Sequence, residues 1–394
     1  MTSHKFQKRP IWQVGFRPFF LGASLWAIVS MALWLGLLQY NVRLGLNGML
    51  SAHWHGHEMI YGFAMAVVAG FLLTAVPNWT KTPPVSGWPL ITVFVFWFVA
   101  RGLFLAGNNS LLILTAVVDL LFQAGLLILI GLPLYRHGKM RQWSIWIKAG
   151  LIVLSNVLFY LGAFGVIDEG IHYGLYSGFY LIIALVLTIS RRVIPMFMEN
   201  GLFLDAPLRN RKWVDVGSLV LVLVFWLVEV FVRIPGLAAL VALLLCGVHL
   251  VRLYDWYVPA MWEKPLLWVL YLAYAFIVAG FAFKAVGLTG WSTPPSLALH
   301  LFAIGGIGLM TCGMMSRVSL GHTGRNIHSP PRWAGIVFGY IVVSAITRAI
   351  LPLIDLEYYM LWVVVSQYFW ILGFSSFTVL YYSMWVSPRM DAQQ

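Results

Sequence analysis

Charge is what this chain has least of. Only 10% of its 394 residues are Asp, Glu, Lys or Arg, while 61% are hydrophobic; an ordinary soluble domain carries roughly 25% charged residues. A water-soluble fold cannot cover that much apolar surface, so a lipid bilayer is the expected solvent. Cysteine is nearly absent too. Cys246 and Cys312 both fall inside apolar runs, which excludes a disulfide framework and a thiolate metal cluster. Also missing are a P-loop, a GxSxG elbow, an HExxH zinc motif, a pair of catalytic carboxylates and a CxxCH haem attachment. Their absence removes the common hydrolases, nucleotide-driven machines and a built-in c-type module. Acidic residues are fewer than basic ones and the net charge is +12. The cations sit in short breaks between apolar runs rather than on one soluble face, so nucleic acid is not the expected partner.

What is present is hydrophobic length. A span needs roughly twenty apolar residues, and such windows recur from Phe19 to Trp385. They predict an all-α polytopic protein, one transmembrane domain over residues 1–394, with spans near 19–38, 57–76, 89–105, 111–134, 145–166, 171–190, 213–232, 237–253, 265–286, 297–316, 333–353 and 359–385. The basic N-terminal stretch superficially resembles a signal peptide, but no small-x-small site follows, so the first span reads as an uncleaved anchor. Assigning the breaks alternately to two sides gathers twenty of the twenty-five Lys and Arg on one side. Arg43, Arg101, Arg233, Lys284 and Arg348 fall on or near the other, with the acidic breaks Asp168-Glu169 and Asp355…Glu357. The positive-inside rule then places both termini in the cytoplasm, with the bacterial inner membrane as the expected location.

That orientation sorts the histidines. His53, His55 and His57 lead into span two from outside, His172 opens span six, and His300 lies about one turn inside the outer end of span ten. The sites recur every fourth helix. Each is followed by a glycine-bearing apolar run with a polar exit, at Thr74, Thr188 and Ser316, which suggests a threefold internal repeat resting on layout rather than letters. Small residues such as Gly62, Gly70, Gly174, Gly178, Gly305 and Gly308 suit close helix packing or the approach of a flat macrocycle, and the pattern alone does not choose.

Ionisable groups in an apolar slab usually face an interior site. Neutral imidazole is the usual ligand of haem iron and of copper, and a carboxylate the usual group that orients such a ligand, a role open to Glu58. Single interfacial histidines are ordinary hydrogen-bonding groups; three within five residues, with two more on other spans, favour metal binding. The Ser319–Arg325 segment, with Gly321, His322, Thr323 and Gly324, reads as a loop after span ten. With Arg317 before it, the segment suits an anionic group or simply obeys the positive-inside rule. His249, near the inner end of span eight, reads as a satisfied histidine, and Lys284 can snorkel.

GFRPFFLGASLWAI from Gly15, HWHGHEMIYGFAMAVVAGFLLTAVPNWT from His53, RRVIPMF from Arg191 and ALHLFAIGGIGLMTCGMMSRVSLGHTGR from Ala298 together resemble the NnrS family over nearly the whole chain. The resemblance implies a haem- and copper-containing membrane protein linked to nitric oxide and nitrosative stress, often beside denitrification genes. By the same resemblance His55, His57 and Glu58 match the second-span motif, His300 the span-ten ALH, and His322 with Arg325 the GHTGR motif. The expected cofactor-binding set is therefore His57, His300, Glu58, Arg317, His322 and Arg325. His57 and His300 are the expected axial ligands of haem b, and His53, His55 and His172 the copper candidates. Nitric oxide and an electron donor are the implied small partners. In architecture the layout also resembles the haem-copper oxidases, with His172 and Tyr176 like the His-Tyr pair of some of them, but span seven lacks their histidine pair, which puts reductase chemistry in doubt. A transporter or metal-handling permease without redox turnover, and a non-catalytic nitric oxide sensor or scavenger, remain alternatives.

Overall fold

The computed structural model describes residues 6–46, 49–106, 109–139, 142–288 and 295–390. Among them there is no strand, and twelve helices are long and apolar enough to cross a membrane: α1 Phe16–Gln39, α2 Ser51–Thr80, α3 Trp88–Leu105, α4 Leu111–Arg136, α5 Trp143–Ala163, α6 Gly170–Leu202, α7 Lys212–Val232, α8 Pro235–Trp256, α9 Pro265–Leu288, α10 Ser296–His322, α11 Ala334–Ile354 and α12 Tyr359–Val386. Helices are the expected answer to this composition, because in hydrocarbon every backbone polar group must find its partner within the segment. Large apolar side chains exposed along them, such as Ile113, Leu240, Leu243 and Val379, are those a bilayer would cover. The chain is therefore a multi-pass membrane protein.

Three helices run well past their predicted ends. α2 begins at Ser51, so His53 and His55 are already helical; α6 continues through Arg191, Arg192 and Pro195 to Leu202. α10 continues to His322, which moves Arg317, Ser319 and His322 from the expected loop onto helix. Hydropathy marks where side chains stop being apolar, whereas the hydrogen-bond ladder continues beyond that point. At 1.5 Å per residue α10 is about 40 Å long, against roughly 30 Å of hydrocarbon.

Two compact units are distinguished by their internal contacts. Unit one comprises residues 1–179, 315–327 and 374–394; unit two comprises 180–314 and 328–373. In unit one, Trp54, Phe104, Phe159 and Tyr160 form a buried aromatic core from α2, α3 and α5. In unit two, Phe281 of α9 meets Phe302 of α10 edge-on at 4.8 Å and Phe225 of α7 at 5.6 Å.

Within the long helices lie three π-helical stretches, Glu58–Ala64 in α2, Val228–Val232 in α7 and Leu301–Gly308 in α10. Two of them start at the residue after a predicted site histidine, His57 and His300. A π turn widens the helix and rotates the side chains on either side of it, and such turns are frequent at functional sites.

Candidate functional site

His57 is fully buried in unit one and both of its ring nitrogens are engaged. Nδ1 faces Glu58 Oε1 at 2.9 Å and Nε2 faces Asn156 Oδ1 at 3.0 Å, with Asp119 Oδ2 at 3.6 Å. Asn156 donates from Nδ2 to Asp119 Oδ2 (2.8 Å), which fixes its amide so that oxygen points to the histidine. Both ring nitrogens thus face acceptors, the pattern of a ring that donates from each side. Arg101 of α3 donates to Glu58 Oε1 at 2.8 Å and to Asp119 Oδ1 of α4, and Tyr160 of α5 donates to Asp119 Oδ2 at 3.1 Å. Two carboxylates, one guanidinium and the His57 ring thus form a single buried hydrogen-bonded set. Buried charges survive only in such paired, hydrogen-bonded sets.

The second buried polar set lies in unit two. His249 of α8 is fully buried, and its Nδ1 lies 2.5 Å from the Tyr274 hydroxyl of α9. Arg252 donates to that hydroxyl (2.9 Å) and to Asp215 Oδ1 of α7 (2.7 Å). His249 Nε2 is buried without a protein partner, and its ring lies parallel to Phe281 at 6.0 Å. Sequence reading expected a satisfied histidine here; one of its two nitrogens is.

His300 has a different geometry. Its Nδ1 lies 2.6 Å from the carbonyl oxygen of Ser296, one turn earlier on α10. A carbonyl only accepts, so Nδ1 carries the proton and the lone pair stands on Nε2. A backbone carbonyl holding Nδ1–H is the usual second contact of a metal-ligating imidazole.

The remaining histidines are spread out. His53 is half-buried with Nδ1 lacking a hydrogen-bond partner, His55 stacks on Trp34 of α1 at 4.6 Å, and the His172 ring lies 4.5 Å from that of Tyr176. Among the described residues no three His, Cys, Asp or Glu side chains converge to hold a metal ion. At the other end of unit one, the His322 ring lies 5.9 Å from Phe16, and Arg317 is 7% exposed. Arg325, past the helix, is partly buried, which draws its guanidinium below the usual range.

The model of the family described as NnrS protein matches residues 10–389, nearly the whole chain. The chain belongs to the NnrS family. No curated protein matches it.

Of the nine residues expected at the site of this NnrS member, the structure joins His57 directly to Glu58 and leaves the copper candidates without a common focus. Sequence reasoning missed Arg101, Asp119, Asn156 and Tyr160. A signal for the first two was available: single charges of opposite sign in the apolar runs of consecutive spans, eighteen residues apart, are expected to pair. His249 and Tyr274 carried no such signal.

Proposed function

We propose that this NnrS protein carries haem in the membrane through His300 and binds nitric oxide there, protecting the cell against nitrosative stress. The observation that carries the reading is the Ser296 carbonyl on His300 Nδ1, which fixes the tautomer and orientation of the ring beside a π-helical stretch rich in glycine. Haem held there would supply the diatomic-gas chemistry. His300 and His249 fit the requirement for an imidazole oriented through one nitrogen. His57 fits a different task, since its two nitrogens already serve Glu58 and Asn156. Copper rests on the family alone, because His53, His55 and His172 do not form a three-ligand set. An electron donor is needed only if nitric oxide is turned over; stoichiometric uptake without a donor is the scavenging form of the same reading.

The test is the optical spectrum and haem content per chain of purified protein. Wild type should show a haem band that shifts with nitric oxide, His300→Ala should lose most of it, and His57→Gln should keep it per folded chain. Protein that binds no haem, or a His300→Ala band identical to wild type, overturns the assignment. Haem-free protein that takes up a metal ion into sealed vesicles would favour the permease reading, for which a buried charge network on consecutive spans is also suited.

A further inference from the structure

Three distant pieces of sequence meet at the end of unit one opposite the α5–α6 connection. Arg17, at the start of α1 and only 2% exposed, donates from Nη1 to the carbonyls of Trp385 (3.1 Å), in the last turn of α12, and Ser387 (2.5 Å), just past it. Its Nε is buried with no partner. The Thr323 carbonyl accepts the Met390 amide at 3.1 Å, tying the tail to the turn after α10. Gly324 has φ +73°, a left-handed conformation that glycine takes without strain, and folds the chain back so that the Arg325 amide donates to Leu320 (3.0 Å). Arg325 Nη1 is buried without a partner as well, and the His322 ring lies 5.9 Å from that of Phe16, the residue before Arg17.

No described carboxylate of unit one is shown paired with Arg17 or Arg325. Glu58 and Asp119 are tied to Arg101 and His57, and Asp168 and Glu169 lie in the α5–α6 connection. Helix C-termini help, each offering about half a negative charge, so the ends of α10 and α12 offset about one unit; the N-terminus of α1 takes about half of that back. Leaving Arg389 aside, about one and a half positive charges remain over Arg17 and Arg325 among the described residues. Ordinary inner-face cations are solvated and need no counter-ion, but a nearly buried guanidinium is a different case.

We propose that Arg17 and Arg325, with His322 and Arg389 at the rim, form a binding site for a phosphate oxyanion, supplied by an anionic phospholipid headgroup or by a soluble phosphate. Guanidinium forks match phosphate oxygens two at a time, and the two unpartnered N–H groups supply donors for it. Arg17 is the buried member of the pair and Arg325 the half-exposed one. The site stands apart from the haem reading, since it uses none of His300, His249 or the His57 set.

The experiment measures the unfolding midpoint of the full-length protein, delipidated in a neutral detergent, while inorganic phosphate is titrated against chloride at equal ionic strength. A second arm compares phosphatidylcholine nanodiscs with and without phosphatidylglycerol. Wild type should be stabilised in at least one arm, as mass action on the folded state requires; the lipid arm alone points to a headgroup, and the phosphate arm points to a soluble anion. Arg325→Gln should weaken apparent affinity roughly tenfold or more, the weight of one charge-assisted hydrogen bond. Arg325→Lys should restore part of it, and Arg136→Gln, exposed at the end of α4, should behave as wild type. No stabilisation of wild type in either arm overturns the site. So does an Arg325→Gln response equal to wild type, or an equal loss from Arg136→Gln.

Discussion

At the scale of single residues, the buried set around His57 is held by mutual dependence. Each carboxylate is bound by Arg101 and approached by His57, and Asn156 and Tyr160 complete Asp119. Removing one charge leaves another uncompensated in the apolar interior. Asp119→Asn should therefore cost about 3–5 kcal/mol in an unfolding measurement. Arg101→Gln should cost a similar amount, and the double variant clearly less than the two together, because the second change relieves the charge the first one strands. Additive losses would show the charges to be independent. The sequence made His57 and Glu58 legible as partners, through adjacency and motif. It did not reveal whether Glu58 orients a metal ligand or balances a cation, because that depends on which groups α3, α4 and α5 bring to the same depth, and three separate helix rotations decide it.

At the scale of elements, the π-helical stretch of α2 brings its backbone unusually close to α1. A Cβ on Gly62 would stand 2.6 Å from Trp26 Nε1 and 2.8 Å from Glu58 Oε2. Gly62→Ala should thus cost about 1–3 kcal/mol through overpacking. Gly102→Ala on α3, where nothing lies within 4 Å, should be neutral or slightly stabilising in the same assay. Equal effects at the two sites would remove the case for close approach. In unit two, Lys284 near the end of α9 pairs with Glu229 in the π turn of α7 instead of snorkelling alone. A cycle of Lys284→Met and Glu229→Gln should return a coupling of about 0.5–3 kcal/mol, and none if the lysine reaches water by itself. The twelve spans were legible because apolar length is written into the sequence. The π turns, the early start of α2 and the late end of α10 were not, since they depend on hydrogen bonding that residue polarity does not report.

For the whole molecule, twelve spans place both ends of the chain on one side, and the distribution of cations argues which. Two of the five basic residues assigned to the outer side are ion-paired inside the protein: Arg101 with Glu58 and Asp119, and Lys284 with Glu229. Charges paired within the fold weigh little in orienting the chain; on the inner side Arg211 pairs with Asp255 and both Arg191 and Arg252 with Asp215, so twenty to five becomes seventeen to three. The α4–α5 connection should therefore face the cytoplasm and the α5–α6 connection the outside. His137 and Val166 are exposed in those two connections, while both native cysteines are buried and give little background. A membrane-impermeant thiol reagent applied to intact cells should label Val166→Cys at once and His137→Cys only after permeabilisation. The reverse pattern would invert the topology and move the Arg17–Arg325 end to the outer face. The His300 end of α10, together with any haem it holds, would then open toward the cytoplasm.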